Sequence, residues 1–150
     1  MSRINGTSAT IPSQRELASR VGHGALAGLG GGIIFGIMMA MMGVLTTIAS
    51  LVGSHNPVVG AVLHLILSTI FGMAFGAVLG TARVWQLLGA GVVYGLLLWI
   101  IGGMLLLPAG AGMPVFQMGM FAMQKLVGHL VFGIVTALVL WGFRRRATSH

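Results

Sequence analysis

Of the 150 residues, 57% are hydrophobic, 6% are charged and a single one, Glu16, is a carboxylate. So little polar surface cannot cover a soluble domain of this length, so most of the chain has lipid as its solvent, and the length allows one domain of four spans of about 20 residues. One carboxylate and no cysteine exclude paired-carboxylate and Asp-oriented catalytic sites, disulfides and thiolate chemistry.

The net charge of +7 is distributed as a topology signal rather than as a nucleic-acid surface. Seven of the eight basic residues (Arg3, Arg15, Arg20, Arg83, Arg144, Arg145 and Arg146) flank the apolar runs on one predicted side, and Lys125 stands alone on the other. By the positive-inside rule both termini are expected in the cytoplasm.

In chain order, residues 1–12 are polar and expected to be disordered. Ser13 and Glu16 have capping-box spacing behind Pro12, which predicts a cytoplasmic lead-in helix over 13–23. The first span is expected over about 24–51; it is too long for a signal peptide and reads as a retained helix. After an exterior turn over 53–57 a second span covers about 58–80. A short cytoplasmic connection leads to a third, about 86–107, ending at Pro108. Residues 109–123 (AGAGMPVFQMGMFAM) are too apolar for a plain loop and too rich in Gly and Pro for a helix; an exterior re-entrant or interfacial segment is expected. The fourth span follows over about 124–143, with Trp85 and Trp141 as cytoplasmic-side aromatic anchors. The predicted fold is an all-α, integral membrane four-helix bundle. A duplicated helical hairpin is one reading of its pattern: Phe35-Gly36…Gly43 recurs as Tyr94-Gly95…Gly102, and His64-Leu65-Ile66 as His129-Leu130-Val131.

Helix association in lipid depends on close backbone approach, and small residues supply it. Gly24, Gly28, Gly32 and Gly36 form one row at i, i+4 spacing; Gly60, His64, Ser68, Gly72, Gly76 and Gly80 form a second; Gly133 continues the row of Lys125 and His129 on the last helix. Packing is the expected role of these rows, with a glycine-lined pore in an oligomer as the other reading.

His64 and His129 are the candidate functional residues, both about two turns from the exterior ends of helices running in the same direction. Three uses fit: bis-imidazole ligation of haem b, a soft-metal site recruiting thioethers, or a pH-sensitive interaction. The bland alternative is that each ring hydrogen-bonds a carbonyl or Ser68 and holds helices together. Thioethers are abundant, with Met38, Met39, Met41 and Met42 in one run and Met113, Met118, Met120 and Met123 in the exterior segment. Lys125, one turn before His129, either faces inward and opposes protonation of the imidazole or snorkels to the interface. His23, His55 and His150 have no argued role.

Trp85-Gln86-Leu87-Leu88, Gly112-Met113-Pro114-Val115-Phe116, Val127-Gly128-His129-Leu130-Val131 and the closing Arg144–Arg146 run give the second half, residues 65–146, a resemblance to the YagU family of small bacterial inner-membrane proteins. That resemblance implies a part in acid resistance, with His129 as the motif position that gives it a physical handle. No P-loop, Rossmann fingerprint or HExxH motif occurs. The expectation is therefore a non-enzymatic, multi-pass bacterial inner-membrane protein without a resident cofactor. Its partners are expected to be the lipid bilayer and either a second copy of itself or a larger membrane complex, with no nucleic acid. A haem- or metal-binding electron-transfer subunit and a small oligomeric channel or transporter are the alternatives.

Overall fold

A computed structural model describes residues 12–147; the expectations for residues 1–11 and for His150 lie outside the described residues. The fold is all-α, with no strand among the described residues. Its elements are α1 (Gln14–Met41), α2 (Val44–Ser50), α3 (Pro57–Leu79), α4 (Val84–Leu98), a π-helical segment (Trp99–Leu106), α5 (Leu107–Gly110) and α6 (Met120–Ala147). α1, α3, the continuous helix from Val84 to Gly110 and α6 are each long and apolar enough to cross a bilayer, which makes this a multi-pass membrane protein.

The local chemistry explains most of the boundaries. The Ser13 Oγ accepts from the Glu16 amide at 3.3 Å and the Glu16 carboxylate accepts from the Ser13 amide at 2.9 Å, so the capping box starts α1 ten residues ahead of the expected span. The lead-in helix and the first span are thus one helix. That helix stops at Met41, short of the predicted Leu51, because Gly43 takes a left-handed conformation (φ 70°) that ends the hydrogen-bond ladder. Thr46 Oγ1 donates to the Gly43 carbonyl at 2.9 Å as α2 begins. α3 starts with Pro57 at its first position and Asn56 Oδ1 accepting from the Val58 amide at 2.9 Å.

Pro108 does not end the third span. A proline cannot donate to the carbonyl four residues back, and the backbone amide of Phe116 donates to that orphaned Met104 carbonyl instead, at 2.9 Å. The helix therefore continues to Gly110. Residues 111–119 fold back over its end, held also by the Met113 amide on the Pro108 carbonyl at 2.8 Å. Their side chains are mostly exposed, and α6 begins at Met120 rather than Gln124. The turn requires a positive φ at Phe116 (53°), uncommon for a bulky residue.

Neighbouring spans pack antiparallel. A Cβ on Gly28 would fall 2.6 Å from the Gly72 Cα, one on Gly76 2.7 Å from the Gly24 Cα, and one on Gly32 2.6 Å from Ser68 Oγ, so α1 and α3 meet backbone to backbone. Gly60 presses on the Leu45 carbonyl of α2. Gly91 and Gly95 of α4 meet Gly133 and the His129–Leu130 backbone of α6 in the same manner. α1 joins the two pairs: Gly31 lies against Thr136 and Phe132, and the Phe35 ring fills the space above Gly128. α3 and α4 approach at Tyr94, whose hydroxyl donates to the Phe71 carbonyl at 2.9 Å and whose ring lies 5.3 Å from that of Phe75. The buried apolar residues form one cluster around Phe35, Met39, Leu45, Ile48 and Phe132 and another around Ala27, Phe75, Leu87, Ala137 and Leu140.

Arg15, Arg20, the Gly80–Arg83 connection and Arg144–Arg146 gather at one end, where Arg144 donates to the Ala82 carbonyl and the His23 and Phe143 rings stack at 5.5 Å. We call this the basic end. The opposite end carries the 51–56 and 111–119 connections and is rich in methionine.

Candidate functional site

Two interruptions define the site. Gly43 breaks the first span and the π-helical segment around Gly102 distorts the third, at the positions where the two halves of the sequence repeat the aromatic-Gly…Gly pattern. Interrupted helices at matching positions of two halves are a pointer to an intramembrane binding site, because backbone irregularity at that depth survives only where protein or a cavity surrounds it. A cavity of about 380 Å³ does lie there, lined from α1 and α2 by Phe35, Met39, Ile48 and Leu51 and from the π segment by Ile101, Gly102, Gly103 and Leu106. α3 contributes His64, Leu67, Ser68 and Phe71, and α6 contributes Lys125, His129 and Phe132.

The two candidate histidines thus share one cavity. His64 is buried at the α1–α3 interface, where its Nε2 lies 2.9 Å from the Gly32 carbonyl and 3.5 Å from Ser68 Oγ. A carbonyl can only accept, so Nε2 carries the proton and Nδ1 the lone pair. His129 uses the opposite nitrogen: its Nδ1 lies 2.8 Å from the Lys125 carbonyl one turn earlier in α6, which makes it the donor and leaves Nε2 as the acceptor. The Cε1–Nε2 edge of His129 faces the π segment; a Cβ on Gly103 would lie 3.2 Å from Cε1 and 3.7 Å from Nε2. The Phe35 ring lies edge-on to both imidazoles, with centroids 5.4 Å from His64 and 4.7 Å from His129. A haem ligated by both rings requires that Phe35 be displaced.

Lys125 faces inward. Its Nζ donates to the Gly103 carbonyl at 3.0 Å and lies 5.2 Å from the centre of the Phe121 ring. Lys125 also borders a second cavity of about 270 Å³, lined by Met104, Met113, Met118, Met120 and Phe121. Of the thioethers noted in the sequence, Met39 lines the histidine cavity, Met113, Met118 and Met120 line the second, and Met41 is 83% exposed on the outer surface. Among the described residues no group of three or more His, Cys, Asp or Glu is placed to hold a metal.

Of the predicted packing residues, Gly24, Gly28, Gly32, Ser68, Gly72 and Gly76 lie in the α1–α3 interface, Gly60 against α2 and Gly133 against α4; Gly36 faces the His64 ring, where a Cβ would lie 3.2 Å from Cδ2. Sequence reasoning missed Gly91 and Gly95, the partners of Gly133, although their i, i+4 spacing is the same signal. It also missed Tyr94, whose hydroxyl holds the carbonyl of the cavity-lining Phe71, and Trp99. The Trp99 Nε1 donates to the Ala122 carbonyl at 3.0 Å and its Cδ1 lies beside Gly103. No family model matches the chain, and neither does any curated protein or solved structure.

Proposed function

We propose that this chain is a non-enzymatic protein of the bacterial inner membrane, with both termini in the cytoplasm, that takes a membrane-dissolved ligand into the cavity between α3 and the π segment. One observation carries the reading: the cavity wall is apolar except at His64, Ser68, Lys125 and His129, and its rim residues Leu67, Phe71, Ile101 and Leu106 are 44%, 37%, 50% and 61% exposed on the surface that faces hydrocarbon. Such a rim admits a ligand from the bilayer without passage through water. The arginine-rich end supports the cytoplasmic assignment.

The histidine pair makes occupancy depend on pH. The titratable groups around the cavity are His64 on α3, Tyr94 on α4, and Lys125 and His129 on α6; Glu16, the only carboxylate, is at the basic end. Protonating either imidazole adds charge beside the Lys125 ammonium with no anion to offset it. Filling the cavity with hydrocarbon strips water from both rings and disfavours that charge further. A ligand without charge is therefore held more weakly as pH falls from 8 to 5, whereas an anionic ligand offsets the added charge.

The test uses Trp99 as reporter, with Trp85→Phe and Trp141→Phe removing the other indoles. In lipid vesicles a bromoalkane should quench Trp99 saturably, and Gly102→Leu should abolish the saturable part. Gly102 lines the cavity and a Cβ there meets nothing within 4 Å, so leucine fills space without touching backbone. Quenching that rises linearly and is the same in Gly102→Leu would overturn the proposal.

A further inference from the structure

The charge and shape of the same cavity point to one ligand class. We infer that it binds a long-chain carboxylate, with the head group at Lys125 and His129 and the tail running past Leu67 and Ile101 toward Tyr94. This rests on the cavity reading above and adds the chemistry of the occupant.

The first argument is charge. Each titratable side chain in the wall, His64, Lys125 or His129, is neutral or positive, and no carboxylate lines it. An organic cation meets only repulsion there, whereas an anion meets an ammonium in surroundings where charges are weakly screened. Lys125 has three donors and the Gly103 carbonyl occupies one, so two remain for a carboxylate. His129 stands one turn further in with Nε2 turned away from its own helix; on taking a proton there it becomes a second donor. With His129 neutral the bound carboxylate and the Lys125 ammonium cancel, and a proton taken up at His129 returns the site to +1, the charge it has when empty.

The second argument is dimension and direction. Lys125 lies toward the methionine-rich end of α6, where a head group reaches the interface, and the apolar rim along Leu67 and Ile101 gives the tail an entry from hydrocarbon. Toward the basic end Tyr94 donates to the carbonyl of Phe71, the lining residue of α3 furthest in that direction. Four residues from Lys125 to His129 on α6 and seven from His64 to Phe71 on α3, with both rings beside Phe35, span roughly 16 Å along the helices, the extended length of about a dozen carbons.

The experiment compares 6-bromododecanoate with its methyl ester at pH 8 in vesicles containing the Trp99-only protein. The expected result is saturable quenching by both, with the acid about tenfold tighter, as suits a charge-assisted contact. Lys125→Gln should remove that preference and Lys125→Arg should retain it, with unchanged circular dichroism as the check on folding. Equal affinities for acid and ester, still abolished by Gly102→Leu, would overturn the carboxylate and leave the cavity reading standing. A preference that survives in Lys125→Gln would overturn the assigned head-group site. Quenching that never saturates with either probe would overturn both readings.

Discussion

His64 donates its Nε2 proton to the carbonyl of Gly32 on the adjacent helix, 2.9 Å away, and so ties α3 to α1 through a side chain as well as through glycine contacts. His129 donates from Nδ1 within its own helix. In ¹⁵N spectra of histidine-labelled protein at pH 8, His64 should therefore report the Nε2–H tautomer and His129 the Nδ1–H tautomer. The same tautomer at both rings would contradict this assignment of the two hydrogen bonds.

The glycine contacts grade the cost of a side chain. Gly28→Ala places a methyl 2.6 Å from the Gly72 Cα and should lower stability by about 1–3 kcal/mol, because backbone must separate to admit it. Gly89→Ala, where a Cβ meets nothing within 4 Å, should be neutral or stabilising by up to about 1 kcal/mol through helix propensity. Unfolding in mixed micelles with rising SDS measures both. Equal effects at the two positions would show that close approach at Gly28 is not what holds α1 to α3.

The chain has no cysteine, so single substitutions test orientation without background. His55 and Thr81 are exposed in the connections at opposite ends of the spans. In intact cells His55→Cys should react with a membrane-impermeant maleimide and Thr81→Cys should not until the membrane is opened. The reverse pattern would invert the proposed topology.

Pro108 and Phe116 make a pair across the methionine-rich end. Pro108→Ala restores an amide able to bond the Met104 carbonyl, so the Phe116 amide loses its place. Hydrogen exchange at Phe116 should accelerate by about tenfold or more while helix content stays the same. Unchanged protection would mean that other contacts hold the 111–119 segment.

The fold class was legible because lipid imposes it: with 6% charged residues, four helices are the arrangement that satisfies backbone polar groups in hydrocarbon. The α1–α3 glycine rows and the shared depth of His64 and His129 were also readable, from i, i+4 spacing and position. The interruptions were not. Gly43 looks like any other glycine of the first span, and nothing local in the sequence announces its left-handed φ. The π segment leaves no mark in WIIGGMLL, since a widened turn depends on what Gly103 and Trp99 meet on α6. Pro108 was read as a helix end because the sequence does not reveal that an amide eight residues later supplies the partner the proline leaves unmet. The cavity exists because of these same irregularities.

α1 and α6 stand in the middle of the packing order, and α3 and α4 flank them. The Gly80–Arg83 connection therefore joins the two outer members, while the central ones hold each other through Gly31, Phe35 and Gly128. The molecule is two hairpins zipped along their inner helices. Produced as separate fragments cut within residues 80–83, they should still find each other through those surfaces, and the histidine cavity should form only when both are present.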